Sequence, residues 1–111
     1  MPSPHHPSAG VQRVLRKLGA DIRDARRRRH LPMAIVAERA FTSRGALQRV
    51  EKGDAGVSIG IYAAVLQALG LLESLGQIAD INQDSIGQSL SASELPRRIY
   101  LRRSSEKRSD V

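Results

Sequence analysis

The sequence contains no cysteine and no tryptophan, one phenylalanine and two tyrosines. Without cysteine there is neither a disulfide framework nor a thiolate metal site. With so few aromatics, any core is assembled from Leu, Ile, Val and Ala. No apolar run reaches the roughly 18 residues a membrane-spanning helix needs. The opening residues MPSPHHPSAG are proline-rich and lack an apolar stretch, so residues 1–10 read as a disordered leader and not as a secretory signal. His5 and His6 fall in that leader and are assigned no metal. Catalytic hallmarks are missing too: there is no Gly-rich phosphate loop and no evident carboxylate pair. A cytoplasmic protein that is not an enzyme and carries no cofactor is the expectation.

Positive charge is missing from the middle of the chain. Lys52 is followed by no Lys or Arg until Arg97, while Asp54, Glu73, Asp80, Asp84 and Glu94 lie between them. The net charge of +7 over 111 residues therefore has its excess in the N-terminal half. A basic half beside an acidic segment suits a polyanion on one face and another partner on the opposite face. The length suits one small domain and a tail. A domain of this size gains stability from a second chain.

What is present has helical periodicity. Val11, Val14, Leu15, Leu18, Ile22 and Ala25 recur three or four apart and predict one apolar face of a first helix over about 11–29. Its end carries Arg26, Arg27, Arg28, Arg29 and His30, which complement the helix dipole and offer guanidinium groups to a phosphate backbone. Leu31-Pro32 breaks the pattern, and a short helix over about 33–39 follows, with Val36, Ala37 and Ala40 inward. Thr42 or Ser43 caps a third helix over about 44–51, held by Leu47 and Val50 and ended by Gly53. Ser58 caps a fourth over about 59–69, with Ile59, Tyr62, Val65, Leu66 and Leu69 inward and Gly70 as its stop. Leu71, Leu72, Leu75 and Ile78 belong to a segment at 71–81 that reads as a short helix or as partly extended. Its apolar surplus is assigned to a homodimer interface. Residues 82–111 read as a flexible, basic C-terminal tail, with a short helix near 84–92 compatible with the pattern. Within the tail, Arg97, Arg98, Ile99, Tyr100 and Leu101 place an apolar trio beside arginines, a candidate partner-binding stretch.

Two short helices joined by a turn make a helix–turn–helix, in which the second helix enters the major groove of DNA. Its inward positions must be apolar and its groove-facing positions polar or small. Arg reads guanine O6 and N7, and Gln reads adenine N6 and N7. Residues 44–51 meet these demands. Arg44, Gln48 and Arg49 are the candidate readers. Gly45 and Ala46 allow close approach. Ser43 and Lys52 are candidate phosphate contacts, with Arg26, Arg28 and Arg29 added from the first helix. Glu51 would repel DNA unless paired, so it is expected to pair with Arg23 or another arginine of the first helix, or to be held by backbone.

The stretch from Leu18 to Gly70 resembles the lambda-repressor-like, Cro/C1-type (XRE) family. The resemblance is carried by Ile22-Arg23 and Arg26, Leu31, Val36-Ala37, Ser43-Arg44, Leu47, Arg49, Val50-Glu51, Gly53, Ser58 and Ala68-Leu69-Gly70. It implies an all-α, compact four- to five-helix domain over 11–81 that binds an operator palindrome in double-stranded DNA as a homodimer. Three departures are pointed, one of them Gly45-Ala46 where the family often has Thr. Pro32-Met33 stands where the family has Ser-Gln, which removes one polar DNA anchor. Phe41 stands at the turn glycine and is expected to pack inward.

Beyond Gly70 the chain is similar to HipB-like antitoxins of HipA-type kinase toxins, on Leu71 to Ile81 and Leu95-Pro96-Arg97-Arg98. That similarity implies a repressor of its own operon that also neutralises a HipA-like toxin kinase, in a prokaryotic cytoplasm. Two alternatives stand beside it: a free-standing XRE-family repressor, and a helical protein-interaction module that has lost DNA binding.

Overall fold

The computed structural model describes residues 6–93. The described residues fall into two compact units that divide between Leu75 and Gly76. The regular elements among the described residues are all helical, with no β-strand among them. Five helices come first: α1 (Ala9–Arg28), α2 (Met33–Arg39), α3 (Arg44–Glu51), α4 (Ile59–Ala68) and α5 (Leu72–Gly76). A 3₁₀ turn (Ile81–Gln83) follows, and residues 85–93 form α6. No described helix is long and apolar enough to cross a membrane.

In the first unit α1 packs on α3, and α2 and α4 close the core from the other sides. Ile22 and Ala25 from α1, Val36 and Ala37 from α2, Leu47 and Val50 from α3, and Tyr62, Val65 and Leu66 from α4 are buried together. Val36, Leu47, Val50 and Val65 have no exposed surface. Each such aliphatic side chain contributes about 1.5–3 kcal/mol on burial. Val57, in the loop before α4, joins this core although no helical pattern includes it.

Helix ends follow local chemistry. Ser8, Ser43 and Ser58 each cap a helix, their hydroxyls accepting from the N–H of Val11, Ala46 and Ile61. α2 starts after Pro32, whose side chain makes no capping bond. Gly53 and Gly70 carry positive φ (73° and 79°) at the ends of α3 and α4. Gly53 is doubly required: a Cβ there would collide with the Leu15 carbonyl, besides the backbone strain. Gly19 is the other half of the close approach, because a Cβ on it would lie 2.6 Å from both the Gly53 nitrogen and the Val50 oxygen.

Several expectations are corrected. The first helix starts before residue 11: α1 begins at Ala9, capped by Ser8, and the Gln12 side chain donates to the Pro7 carbonyl. Val11 and Val14 are 47% and 62% exposed, because α1 extends two turns beyond the core it packs on. Ile59 is 73% exposed, since the inward stripe of α4 starts one turn later, at Tyr62. Phe41 does not pack inward. It is 96% exposed, at φ 55°, immediately after the α2 C-cap Ala40. There the Phe41 N–H donates to the Glu38 carbonyl and the Thr42 N–H to Ala37, which turns the chain out of the helix. Ala40, not Phe41, fills the core at this turn.

In the described part of the second unit, α6 at 85–93 falls where a short helix near 84–92 was compatible with the pattern, and the rest of the expected tail lies outside the described residues. Asp80 caps the 3₁₀ turn through Asn82 N–H, and Asp84 accepts from Gly87 N–H at the start of α6. The segment at 71–81 contains helix and no strand.

Candidate nucleic-acid interface

α3 follows α2 after residues 40–43, a turn of the length two packed helices share in a helix–turn–helix. Leu47, Val50 and Glu51 form its buried side. At about 100° per residue, Arg44, Gly45, Gln48, Arg49 and Lys52 occupy one continuous arc of roughly 140° on the other side. All five are exposed. The sequence-predicted readers therefore share one face. Gly45 keeps the first turn of this face open: an added Cβ would meet only the Ser43 hydroxyl, at 3.9 Å. Ser43 accepts from Ala46 N–H at 3.0 Å, and its own hydroxyl proton is left to donate elsewhere.

Glu51 pairs inside the protein. Its two carboxylate oxygens accept from Arg26 Nε at 2.6 Å and Nη2 at 3.1 Å, while Arg26 Nη1 donates to the Leu31 carbonyl at 3.0 Å. The Arg26 and Glu51 side chains are only 11% and 6% exposed. The hydrogen bonding of Arg26 to the Glu51 carboxylate holds the guanidinium above its ordinary pKa, against the opposing effect of burial. Three of the N–H groups of Arg26, expected to contact DNA, are thus engaged by Glu51 and by the connection into α2, and little of its side chain reaches the surface. Arg28 and Arg29 remain exposed at the end of α1. Arg29 Nη1 donates to the Ala25 carbonyl at 2.9 Å, which leaves its other N–H groups outward.

One partnership escaped the sequence reading. Arg49 Nε donates to Asp54 Oδ2 at 2.8 Å, with the two side chains 56% and 38% exposed. Asp54 Oδ1 accepts from Gly56 N–H at 2.7 Å. The Asp54 carbonyl accepts from the hydroxyl of Tyr62, whose ring is buried. The hydrogen bond from Arg49, and then that from Gly56, lower the Asp54 pKa below the usual carboxylate value. Burial is the main cause that raises the Tyr62 pKa. The signal in the sequence was Gly53: its left-handed turn folds residue 54 back over the last turn of α3, so an i,i+5 pair meets.

Of the expected dimerisation residues, Leu71 and Leu75 are partly buried against the core of the first unit, while Leu72 and Ile78 are exposed. Leu15, Leu18, Val57, Ile59 and Tyr62 line an apolar groove of about 270 Å³, and it offers no acid, base or nucleophile at its surface beyond the Tyr62 hydroxyl. Arg97, Arg98, Ile99, Tyr100 and Leu101 lie outside the described residues. No family model, curated protein or solved structure matches the chain.

Proposed function

We propose that this chain is a sequence-specific DNA-binding repressor of the XRE helix–turn–helix type, with α3 as the reading helix. The observation that carries the reading is the exposed face of α3. It gathers Arg44, Gln48 and Arg49 around an uncovered glycine, on a helix held from behind by Leu47 and Val50. The pairing of Glu51 with Arg26 supports it as well, because the one carboxylate in α3 is kept away from that face. The net charge of +7 supplies salt-dependent attraction to any duplex. Arg44, Gln48 and Arg49 add preference, at roughly 1–3 kcal/mol for each good bidentate base contact. Ser43, Lys52, Arg28 and Arg29 serve phosphates.

A homodimer presents two such helices to half-sites of a palindrome, spaced about 34–36 Å apart. Leu71, Leu72, Leu75 and Ile78 are the segment assigned to that contact. Repression follows from occlusion of the promoter. Within this reading the chain acts as a type II antitoxin, which represses its own operon and neutralises a HipA-like kinase through its C-terminal residues. This finer assignment rests on the likeness of Leu71–Ile81 and Leu95-Pro96-Arg97-Arg98 to HipB-like antitoxins. Co-purification of a kinase-sized partner from the native cell tests it.

The test of DNA reading is Arg44→Ala. Affinity for a selected duplex is expected to fall by about tenfold or more, with a smaller loss on a scrambled duplex. Equal losses on both would remove Arg44 as a reader.

A further inference from the structure

We propose that Asp54 is a positioning residue for recognition: its carboxylate fixes the Arg49 side chain so that the Nη1/Nη2 edge is presented to a guanine. The inference rests on the DNA-reading assignment above and names a residue that assignment does not use. Asp54 lies outside α3, in a loop, and carries the charge that DNA repels.

The geometry is that of a built support. Asp54 Oδ2 takes Arg49 Nε at 2.8 Å, and Asp54 Oδ1 is held by Gly56 N–H at 2.7 Å. The backbone of the loop is fixed from below, by the buried Tyr62 hydroxyl on the Asp54 carbonyl at 2.8 Å and by Asp54 N–H on the Arg49 carbonyl at 3.0 Å. Gly56 leaves the room this needs. A Cβ there would stand 3.2 Å from Asp54 Oδ1 and 3.4 Å from Arg49 Nη2. With Nε occupied, the guanidinium keeps its end-on edge, a planar pair of N–H donors that matches guanine O6 and N7. Among the described residues Arg49 makes no other side-chain hydrogen bond. A free arginine must lose its rotamer freedom on binding; one tied to Asp54 has lost part of it beforehand.

The opposite sign of two effects makes the proposal testable. If Asp54 were only a bystander, Asp54→Asn would remove a negative charge beside DNA and strengthen binding to every duplex. If Asp54 positions Arg49, the same substitution weakens binding to the selected site. The asparagine still offers an oxygen to Gly56 N–H, so the loop keeps that bond.

The full chain is first used to enrich a site from a randomised duplex pool. Wild type, Asp54→Asn, Arg49→Ala and the double variant are then titrated against the enriched and a scrambled duplex, with thermal melts to verify folding. The expected result is a fall of about tenfold in the enriched-to-scrambled affinity ratio for Asp54→Asn. In the Arg49→Ala background Asp54→Asn is expected to cause no further fall in that ratio. An unchanged or raised ratio for Asp54→Asn, or full additivity with Arg49→Ala, overturns the positioning role and leaves the DNA reading intact. Failure of the wild-type chain to enrich any sequence overturns both.

Discussion

Glu51→Ala tests the internal pairing that frees the α3 face of negative charge. The substitution removes both acceptors of Arg26 and leaves a guanidinium in a site where its side chain is 11% exposed. Of its three hydrogen bonds only the one to the Leu31 carbonyl survives. Breaking a buried pair from one side costs about 3–5 kcal/mol. A small domain has roughly 5–15 kcal/mol in total, so the loss is a large fraction of its stability. Removing both charges is different, since replacement of a buried pair by apolar side chains is often neutral or better. Arg26→Met with Glu51→Leu is therefore expected to recover most of the loss. The residual deficit is about 1 kcal/mol, from the Leu31 carbonyl left without its donor. Urea unfolding followed by far-UV circular dichroism measures all the variants. A Glu51→Ala cost below about 1 kcal/mol, or a double variant as unstable as the sum of the singles, would refute the reasoning.

Two further substitutions test the backbone argument. Phe41→Gly is expected to raise stability by about 1–2 kcal/mol, since it relieves a left-handed φ at a side chain that buries nothing; a lowered melting midpoint would contradict it. Gly19→Ala is expected to lower stability by at least about 2 kcal/mol, because its Cβ meets backbone atoms of α3 that cannot rotate away; an unchanged unfolding midpoint would show that α1 and α3 are not so closely packed.

These predictions separate what the sequence made legible from what it did not. The residues at Val36, Ala37, Leu47, Val50, Val65 and Leu66 announced themselves by helical spacing, and all are buried. Ser43, Ser58, Gly53 and Gly70 marked helix ends because capping and left-handed backbone are local properties. Periodicity says which residues share a face, but not where along a helix the neighbouring element ends. Val11, Val14 and Ile59 are exposed for that reason. Phe41 is exposed because its left-handed backbone, not its hydrophobicity, decides where it lies. At a left-handed position after a C-cap, the side chain points away from the helix pair whatever its hydrophobicity. On the candidate site, the exposed residues that share one face of α3 could be read from spacing alone. That Glu51 pairs with an arginine of the first helix could be read from charge, but not that the partner is Arg26, and the Arg49–Asp54 pair could not be read at all. The first depends on the packing of α1 against α3, and the second on a turn that reverses the chain.

Enrichment from a randomised duplex pool by the wild-type chain is the most direct test of whether α3 reads a DNA sequence, with affinities compared at one fixed salt concentration. One enriched motif is expected, bound at least about 10³-fold more tightly than a scrambled duplex. Equal affinity for every duplex, falling with salt alone, would contradict it.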